Sequence, residues 1–173
     1  PRSSRRVIDV HVHSYSDAQL KGRDGPNPVT GDRAYAKSET EHRDATFCAL
    51  QRNNVVRAVV SGEDWDTVQR WKRHDPARII GSFAVDDPKD FPLDRFRREH
   101  GAGWLKVLGE FGPQYEGYAP GDPALEPVFA LAEELDVPVG FHMHPGPRGA
   151  NYDFGMPKMR VANGRPLLLE PVL

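Results

Sequence analysis

Short apolar runs alternate with longer amphipathic stretches along this chain of 173 residues. We predict five strands, rich in β-branched or aromatic residues, at residues 7–13, 55–60, 78–85, 104–110 and 137–142. Helices are predicted at residues 40–54, 65–74, 93–100 and 122–135, and a further helix is predicted to begin near Pro166. Because strand and helix alternate, the pattern indicates βα units and a parallel sheet.

The first predicted strand ends in two histidines that are separated by one residue. Side chains alternate between the two faces of a strand, so Asp9, His11 and His13 share one face. Two imidazoles on one face can reach a common metal ion, and imidazole is a good ligand for zinc and similar metals. A wet polar face on an edge strand explains the same pattern without a metal. The spacing by itself leaves both interpretations open.

A polar stretch rich in proline and glycine follows these histidines, at residues 14–38. Proline and glycine at this density break regular structure, which predicts a long loop. The stretch leaves the first strand directly after the histidines. We therefore expect it to cover the metal site as a lid.

Ionisable side chains follow each predicted strand at its C-terminal end. They are His11, His13, Glu63, Asp64, Asp86, Asp87, Glu110, His142 and His144. The four carboxylates after the second and third strands are more typical of turns and helix caps. Glu110 and His142 come directly after a strand core, and metals accept both types of side chain. With the histidine pair, they are the candidate metal ligands.

Lys106 competes with Glu110 for the metal role on the fourth strand. Alternation places Trp104, Lys106, Leu108 and Glu110 on one face. If that face lined a barrel, Lys106 would serve as a carbamylated bridging ligand, and otherwise as an ordinary salt-bridged lysine. Glu110 lies nearer the end of the strand. We therefore favour Glu110 as the ligand and expect Lys106 to stay unmodified.

The fold class is chosen by comparing two parallel α/β architectures. A Rossmann-type fold would place a glycine-rich phosphate loop after the first strand, and this sequence has none there. A (β/α)₈ TIM barrel fits better, because its active site lies at the C-terminal ends of the strands. Such barrels have about 250 residues, and five βα units are visible here. We expect residues 1–173 to be the incomplete N-terminal part of a single barrel domain.

Composition narrows the class of protein further. Hydrophobic residues make up 38% and charged residues 28%, which is typical of globular domains. The formal net charge is −2 and no long basic run occurs, so we expect no nucleic-acid partner. Cys48 is the one cysteine, which excludes an internal disulfide or a thiolate metal site. No run approaches the roughly 18 apolar residues of a membrane span, so no membrane partner is expected. A homo-oligomer is compatible with the sequence. The compartment stays open, with the cytoplasm slightly favoured over export, because the sequence begins at Pro1 without a methionine and a leader could have been removed.

Three motifs in chain order resemble the amidohydrolase superfamily of metal-dependent barrels. Residues 7–13, Val-Ile-Asp-Val-His-Val-His, resemble the opening motif of that superfamily. Residues 109–115, Gly-Glu-Phe-Gly-Pro-Gln-Tyr, resemble the glutamate motif after the fourth strand of phosphotriesterase-like and TatD-like enzymes. Residues 136–147 resemble the histidine-bearing fifth strand of the broad "amidohydrolase 2" group.

The resemblance implies one or two divalent metal ions, with zinc expected. His11 and His13 would bind the more buried metal, Glu110 would bridge two metals or complete one site, and His142 would bind the second or only metal. The superfamily also uses a histidine after the sixth strand and an aspartate general base after the eighth. Both are expected beyond Leu173, so residues 1–173 alone are expected to be inactive.

Three further side chains are candidates for contact with a small-molecule substrate. Tyr115, His144 and Arg148 lie on predicted loops at the same end of the strands as the metal ligands. A loop tyrosine more often serves packing, and His144 has an alternative role as a hydrogen-bond partner behind a metal ligand.

The implied chemistry is hydrolysis. A metal held by imidazoles and a carboxylate lowers the pKa of bound water from about 15.7 toward about 7, and the resulting hydroxide attacks a carbonyl or phosphoryl group. This predicts a hydrolase that acts on a C–O, C–N or P–O bond of a small molecule. The enzymatic alternative is a zinc-dependent decarboxylase of an aromatic or related acid. The other alternative is a catalytically degenerate barrel that serves as an interaction module.

Overall fold

The predicted alternation of strands and helices is present in the structure, which is a mixed α/β fold with parallel sheets. The computed structural model describes residues 5–21, 25–26, 30–33, 36–144 and 156–173. The chain divides into two units, Pro1–Ser82 and Phe83–Leu173. Each unit has its own parallel sheet and its own helices.

The first unit contains a three-stranded sheet in the order β1-β2-β3. Its strands are β1 (Val7–His13), β2 (Val55–Ser61) and β3 (Ile79–Gly81). Ala58 of β2 pairs with Asp9 on one side and with Ile79 on the other. A strand that is covered on both faces is expected to be apolar throughout. The central strand β2 follows this rule from Ala58 to Val60, which are buried, whereas Arg57 earlier in the strand is exposed.

The described residues of the first unit form three helices. They are α1 (Asp17–Lys21), α2 (Glu39–Arg52) and α3 (Trp65–His74). Ser38 accepts a hydrogen bond from the backbone N–H of Glu41, and Asp64 accepts one from Asp66, which satisfies first-turn donors of α2 and α3. Asp64 is therefore a helix cap, as the sequence favours. The short helix α1 corrects the prediction of an irregular loop, because Leu20 gives this turn a buried apolar anchor.

The core of the first unit lies between its sheet and the helices α2 and α3. Its buried members are Leu50, Val55, Ala58, Val60, Trp71 and Ile79. Full burial of one large apolar side chain is worth about 1.5–3 kcal/mol relative to exposure. Trp71 also packs edge-on against Phe47, with ring centroids 5.8 Å apart. This packing fixes the two helices over the sheet whose first strand ends in the candidate ligands His11 and His13.

The strand β1, unlike β2, leaves much of its apolar face exposed. Val7, Ile8 and Val10 are 40%, 62% and 73% exposed, respectively. Among the described strands only β2 pairs with β1, which makes β1 an edge of this sheet. An edge strand has one fewer neighbour to cover its side chains, and this explains the exposure.

The second unit contains a parallel pair of strands with two helices. The elements are α4 (Leu93–Gly101), β4 (Leu108–Phe111), α5 (Glu126–Leu135) and β5 (Val139–Phe141). Val85 also pairs in parallel with Phe111 of β4 through hydrogen bonds on either side of it. The unit further contains 3₁₀ helices at Pro88–Asp90, Pro113–Glu116, Pro123–Leu125, Val161–Gly164 and Pro166–Val172.

Both strands of the second unit begin later than the sequence predicts. The backbone N–H of Trp104 is bonded to the carbonyl of Glu99 at the end of α4, so this segment is not available to a strand ladder. Val137 is likewise bonded to the carbonyl of Ala132, in a helix end where Asp136 adopts a left-handed conformation. The first residues of each apolar run are therefore part of the end of the preceding helix, and the strand begins after them.

Other predicted boundaries change for similarly local reasons. The third strand, predicted at 78–85, is limited to Ile79–Gly81. Asp87 accepts a hydrogen bond from Lys89 and caps a 3₁₀ helix, which agrees with the predicted turn or cap role. The helix predicted near Pro166 is a 3₁₀ helix that contains Pro171. Proline has no backbone N–H, so it cannot support a continuous α-helical ladder.

Two glycines allow β4 and β5 to approach each other closely. Gly109 has φ +130°, a conformation that side chains with a Cβ rarely adopt. A Cβ on Gly109 would also meet the carbonyl oxygen of Gly140 on the neighbouring strand. Glycine is therefore required immediately before Glu110, which is a candidate metal ligand.

The helices α4 and α5 are linked by an ion pair between Arg97 and Glu134. The guanidinium donates to the carboxylate at 2.6 Å. This hydrogen bond, with the attraction of the positive charge, lowers the pKa of Glu134 below its ordinary value. In the part of the chain that the structure describes, no helix has the length and apolar character needed to cross a membrane.

Candidate functional site

The histidine pair predicted from the sequence lies at the C-terminal end of β1. The Nε2 atoms of His11 and His13 are 2.9 Å apart, and the two rings meet edge-on with centroids separated by 4.8 Å. The backbone N–H of His11 also donates to the Oδ1 atom of Asp9 at 3.1 Å. Two imidazole nitrogens thus converge on one point, as the shared strand face predicts.

An aromatic row, which we define as Tyr15, His42 and Trp71, continues from this pair into the first unit. The ring of Tyr15 stacks on His13 with an interplanar angle of 9° and a centroid distance of 5.7 Å. His42 lies 5.2 Å from Tyr15 and 5.2 Å from Trp71. The sequence analysis missed this row, because its members are far apart in sequence and no periodic pattern joins them.

The segment after β1 is anchored at the end of β2. The backbone N–H of the buried Ser14 donates to the carbonyl of Ser61 at 2.9 Å. Asp17 accepts a hydrogen bond from the backbone N–H of Glu39, which fixes the start of α2 to α1. The stretch predicted as a lid therefore begins at the C-terminal edge of the sheet. Residues 22–24, 27–29 and 34–35 of that stretch lie outside the described residues, and the lid role stays a prediction.

A second polar group, the β4–β5 cluster, consists of Glu110, Tyr115, His142 and His144. A carboxylate oxygen of Glu110 contacts the Nδ1 atom of His142. The hydroxyl of Tyr115 lies 2.9 Å from the Nε2 atom of His142 and 2.9 Å from that of His144. The side chains of Glu110 and His142 are 16% and 18% exposed, so solvent still reaches this cluster. Tyr115, predicted only as a loop residue near substrate, thus contacts a predicted metal ligand.

Gln114 holds the backbone of His144 with both ends of its side-chain amide. The Nε2 atom of Gln114 donates to the carbonyl of His144 at 2.6 Å, and its Oε1 atom accepts from the N–H of His144 at 3.1 Å. Gln114 is 1% exposed, and a buried amide is stable only when it is hydrogen-bonded. These bonds extend the support of β5 three residues beyond Phe141. Sequence reasoning did not select Gln114 as a functional residue.

The charge state of His144 depends on this environment. Burial lowers the pKa of His144 below its ordinary value, and the nearby His142 lowers it further, whereas Glu110 opposes the shift. The neutral imidazole is therefore favoured near neutral pH. A neutral ring has one N–H donor and one lone pair, which it offers to a hydrogen-bond partner or a metal.

Lys106 and Arg148, which the sequence also singles out, are not among the residues of the two groups described above. Lys106 is exposed and precedes β4, so it does not share a strand face with Glu110. The face argument that made it a competitor is therefore wrong, because the strand begins at Leu108. Arg148 lies outside the described residues. The roles of Tyr115, His144 and the four predicted metal ligands stay predictions, although the structure arranges those ligands as one pair in each unit.

The chain belongs to the amidohydrolase family, whose sequence model, described as Amidohydrolase, matches residues 8–173. This confirms the resemblance found in the three motifs. The fold is similar to the crystal structure of a Staphylococcus aureus protein classed as an amidohydrolase, with a TM-score of 0.56 and 13% sequence identity. That match covers 87% of this chain and 51% of the other, so the chain spans about half the length of the solved structure. No curated protein matches the chain in sequence.

Proposed function

We propose that the protein is a metal-dependent hydrolase that uses water to cleave a C–O, C–N or P–O bond of a small molecule. Membership of the amidohydrolase family supports hydrolysis as the general class of reaction. The observation that carries the metal dependence is the convergence of His11 and His13, whose Nε2 atoms are 2.9 Å apart.

The histidine pair fits a metal ion by its donor chemistry and its spacing. Two nitrogen ligands of one tetrahedral zinc, each about 2.0–2.1 Å from the metal, are separated by roughly 3.4 Å. The observed separation of 2.9 Å requires only a small opening of the pair to reach that value. Without a metal, one ring can donate its N–H to the other, which keeps the pair together.

We propose that Glu110 and His142 contribute the other ligands from this chain. Both side chains lie at the ends of adjacent parallel strands, and they already contact each other. Carboxylate and neutral imidazole are ligands that zinc accepts. Zinc is the expected metal, and one or two ions per protein are compatible with this donor set.

We propose that the complete domain is a (β/α)₈ barrel with the active site at the C-terminal ends of its strands. The parallel pairing of β1, β2 and β3, and that of β4 with β5, agrees with such a barrel. The predicted inactivity of residues 1–173 by themselves stays a prediction. Neither the family match nor the geometry favours the decarboxylase or the interaction module over the hydrolase.

The residues of this chain would hold and orient the groups that react. When bound, a divalent metal activates water and polarises the bond to be cleaved. His11 and His13 are fixed by β1 and by the ring of Tyr15, which stacks on His13. Tyr115 and His144 line the β4–β5 cluster and are candidates to hold substrate. We assign no general base to a residue of this chain.

Metal removal and return test this proposal. The complete barrel domain, rather than residues 1–173 alone, would be purified and assayed against a panel of ester, amide and phosphoester substrates before and after chelation, and again after zinc or manganese is added. We expect hydrolysis to be lost on chelation and restored by metal.

The variants His11→Ala and His13→Ala should each lose activity by on the order of 100-fold or more, since even residues that support a metal ligand cost 10–100-fold. His74→Ala, which removes an exposed histidine at the end of α3, serves as the matched control. Activity that survives chelation, or that is equal in all three variants, would contradict the proposal.

A further inference from the structure

The β4–β5 cluster forms a continuous chain of hydrogen-bonding groups. Tyr115 lies on the 3₁₀ helix Pro113–Glu116, directly after β4, and its hydroxyl reaches Nε2 of both His142 and His144 at 2.9 Å. The other ring nitrogen of His142 contacts the carboxylate of Glu110. Four side chains are therefore joined in the order His144, Tyr115, His142 and Glu110.

The number of protons restricts how the hydrogen bonds among these four side chains can be arranged. A tyrosine hydroxyl has one hydrogen, so it can donate to only one of the two imidazoles. It must accept from the other imidazole if both contacts are hydrogen bonds. A neutral imidazole likewise has one N–H and one lone pair. The two histidines are thus required to present different groups to Tyr115.

Glu110 determines the direction of the chain. An ionised carboxylate only accepts hydrogen bonds, so the Nδ1 atom of His142 must carry the proton. The Nε2 atom of neutral His142 then has a lone pair and accepts from the hydroxyl of Tyr115. The oxygen of Tyr115 in turn accepts from a protonated Nε2 atom of His144.

We propose that Tyr115 is a positioning residue that, with Glu110, holds His142 and His144 in opposite tautomers. His142 carries its proton on Nδ1, and His144 carries its proton on Nε2. Donation runs from His144 to Tyr115, from Tyr115 to His142, and from His142 to Glu110. Each group in the chain uses its hydrogen toward the next group.

This arrangement has a consequence for metal binding that rests on the proposed function. The Nε2 atom of His142 has its lone pair directed away from Glu110, which is the state that a metal requires of an imidazole ligand. Tyr115 occupies that lone pair until a metal replaces its hydrogen bond. The tautomers themselves exist without metal, so they can be measured even if the protein is not a metal hydrolase.

The backbone of His144, which carries one end of this hydrogen-bond network, is also fixed. Gln114 precedes Tyr115 and binds the backbone N–H and carbonyl of His144. The rings of His142 and His144 meet edge-on at an angle of 89° with centroids 4.7 Å apart. Adjacent residues on one 3₁₀ turn therefore hold His144 at both its backbone and its imidazole.

Nitrogen NMR of the metal-free protein tests the proposal. The protein would be labelled with ¹⁵N-histidine, treated with chelator and studied at mildly alkaline pH by long-range ¹H–¹⁵N correlation. The variants His142→Gln and His144→Gln assign the two rings. Tyr115→Phe removes the hydroxyl and keeps the ring, and Tyr118→Phe is the matched control three residues away.

We expect a protonated Nδ1 in His142 and a protonated Nε2 in His144. In Tyr115→Phe, the Nε2 resonance of His144 should shift, because the hydroxyl that accepts its proton is gone, while His142 keeps its proton on Nδ1 because Glu110 still accepts it. Tyr118→Phe should leave both spectra unchanged. A protonated Nε2 in His142, or a His144 spectrum that Tyr115→Phe does not alter, would overturn the proposal. If Tyr115→Phe does not fold, the wild-type spectrum alone decides the direction of the chain.

Discussion

Replacing Gln114 by alanine is expected to destabilise the protein far more than an ordinary polar substitution. Gln114 is 1% exposed, and its amide makes two hydrogen bonds to the backbone of His144, at 2.6 and 3.1 Å. In Gln114→Ala the N–H and the carbonyl of His144 both lose these partners. The substitution therefore acts on the backbone that carries one of the clustered histidines.

The expected magnitude follows from the two lost bonds. A buried donor or acceptor that is left without its partner costs about 1–3 kcal/mol, so two losses predict about 2–6 kcal/mol. His144 is only partly buried, and water can replace part of what is lost. We therefore expect a loss near the lower end, about 2–3 kcal/mol. This is a large fraction of a typical folding free energy of about 5–15 kcal/mol.

Urea unfolding followed by circular dichroism measures this loss. Gln51→Ala is the matched control, because Gln51 is an exposed glutamine on α2 and such substitutions change stability by less than about 0.5 kcal/mol. Gln114→Ala should move the midpoint clearly to lower urea, whereas Gln51→Ala should leave it almost unchanged. Equal midpoints for the two variants would show that the bonds from Gln114 to His144 do not stabilise the fold.

Three further predictions concern strand packing, pH and the discarded lysine. Gly109→Ala should destabilise by at least about 1–3 kcal/mol, because alanine is strained at φ +130° and its Cβ meets the carbonyl of Gly140; an unchanged melting temperature would contradict this. The ion pair with Arg97 lowers the pKa of Glu134, so its stabilisation is present above the ordinary glutamate pKa and is lost as the pH falls through the lowered value. The urea midpoint of wild type should therefore be higher than that of Glu134→Gln at neutral pH, and the difference should disappear in acid. A difference that grows in acid would contradict this prediction. Lys106→Gln should keep its full metal content by elemental analysis, since Lys106 is exposed and outside β4, and loss of metal would restore the carbamylated-lysine interpretation.

The sequence predicts those features that depend on interactions between residues close together along the chain. The helix α3 has the ends that the sequence predicts, because its buried side, with Val68 and Trp71, has helical spacing. The structure adds that Asp64 is its N-cap. The convergence of His11 and His13 follows from strand alternation alone. These features depend on residues only two to four positions apart.

Features that depend on distant residues could not be predicted in the same way. Gln114 supports the backbone of His144 only because the fold brings the two together, although they are thirty residues apart in the sequence. The late start of β4 depends on a bond from Trp104 back to the end of α4 rather than on the apolar run itself. The exposure of Ile8 depends on which strands lie beside β1, and alternation says nothing about neighbours.

The metal content of the protein shows whether His11 and His13 bind a metal ion. The purified protein, His11→Ala, His13→Ala and the control His74→Ala would be dialysed with zinc and analysed by elemental mass spectrometry. The account predicts at least one bound metal per protein in wild type and in His74→Ala, and a large loss in the two β1 variants. Equal metal content in all four proteins, or no bound metal in wild type, would contradict the account.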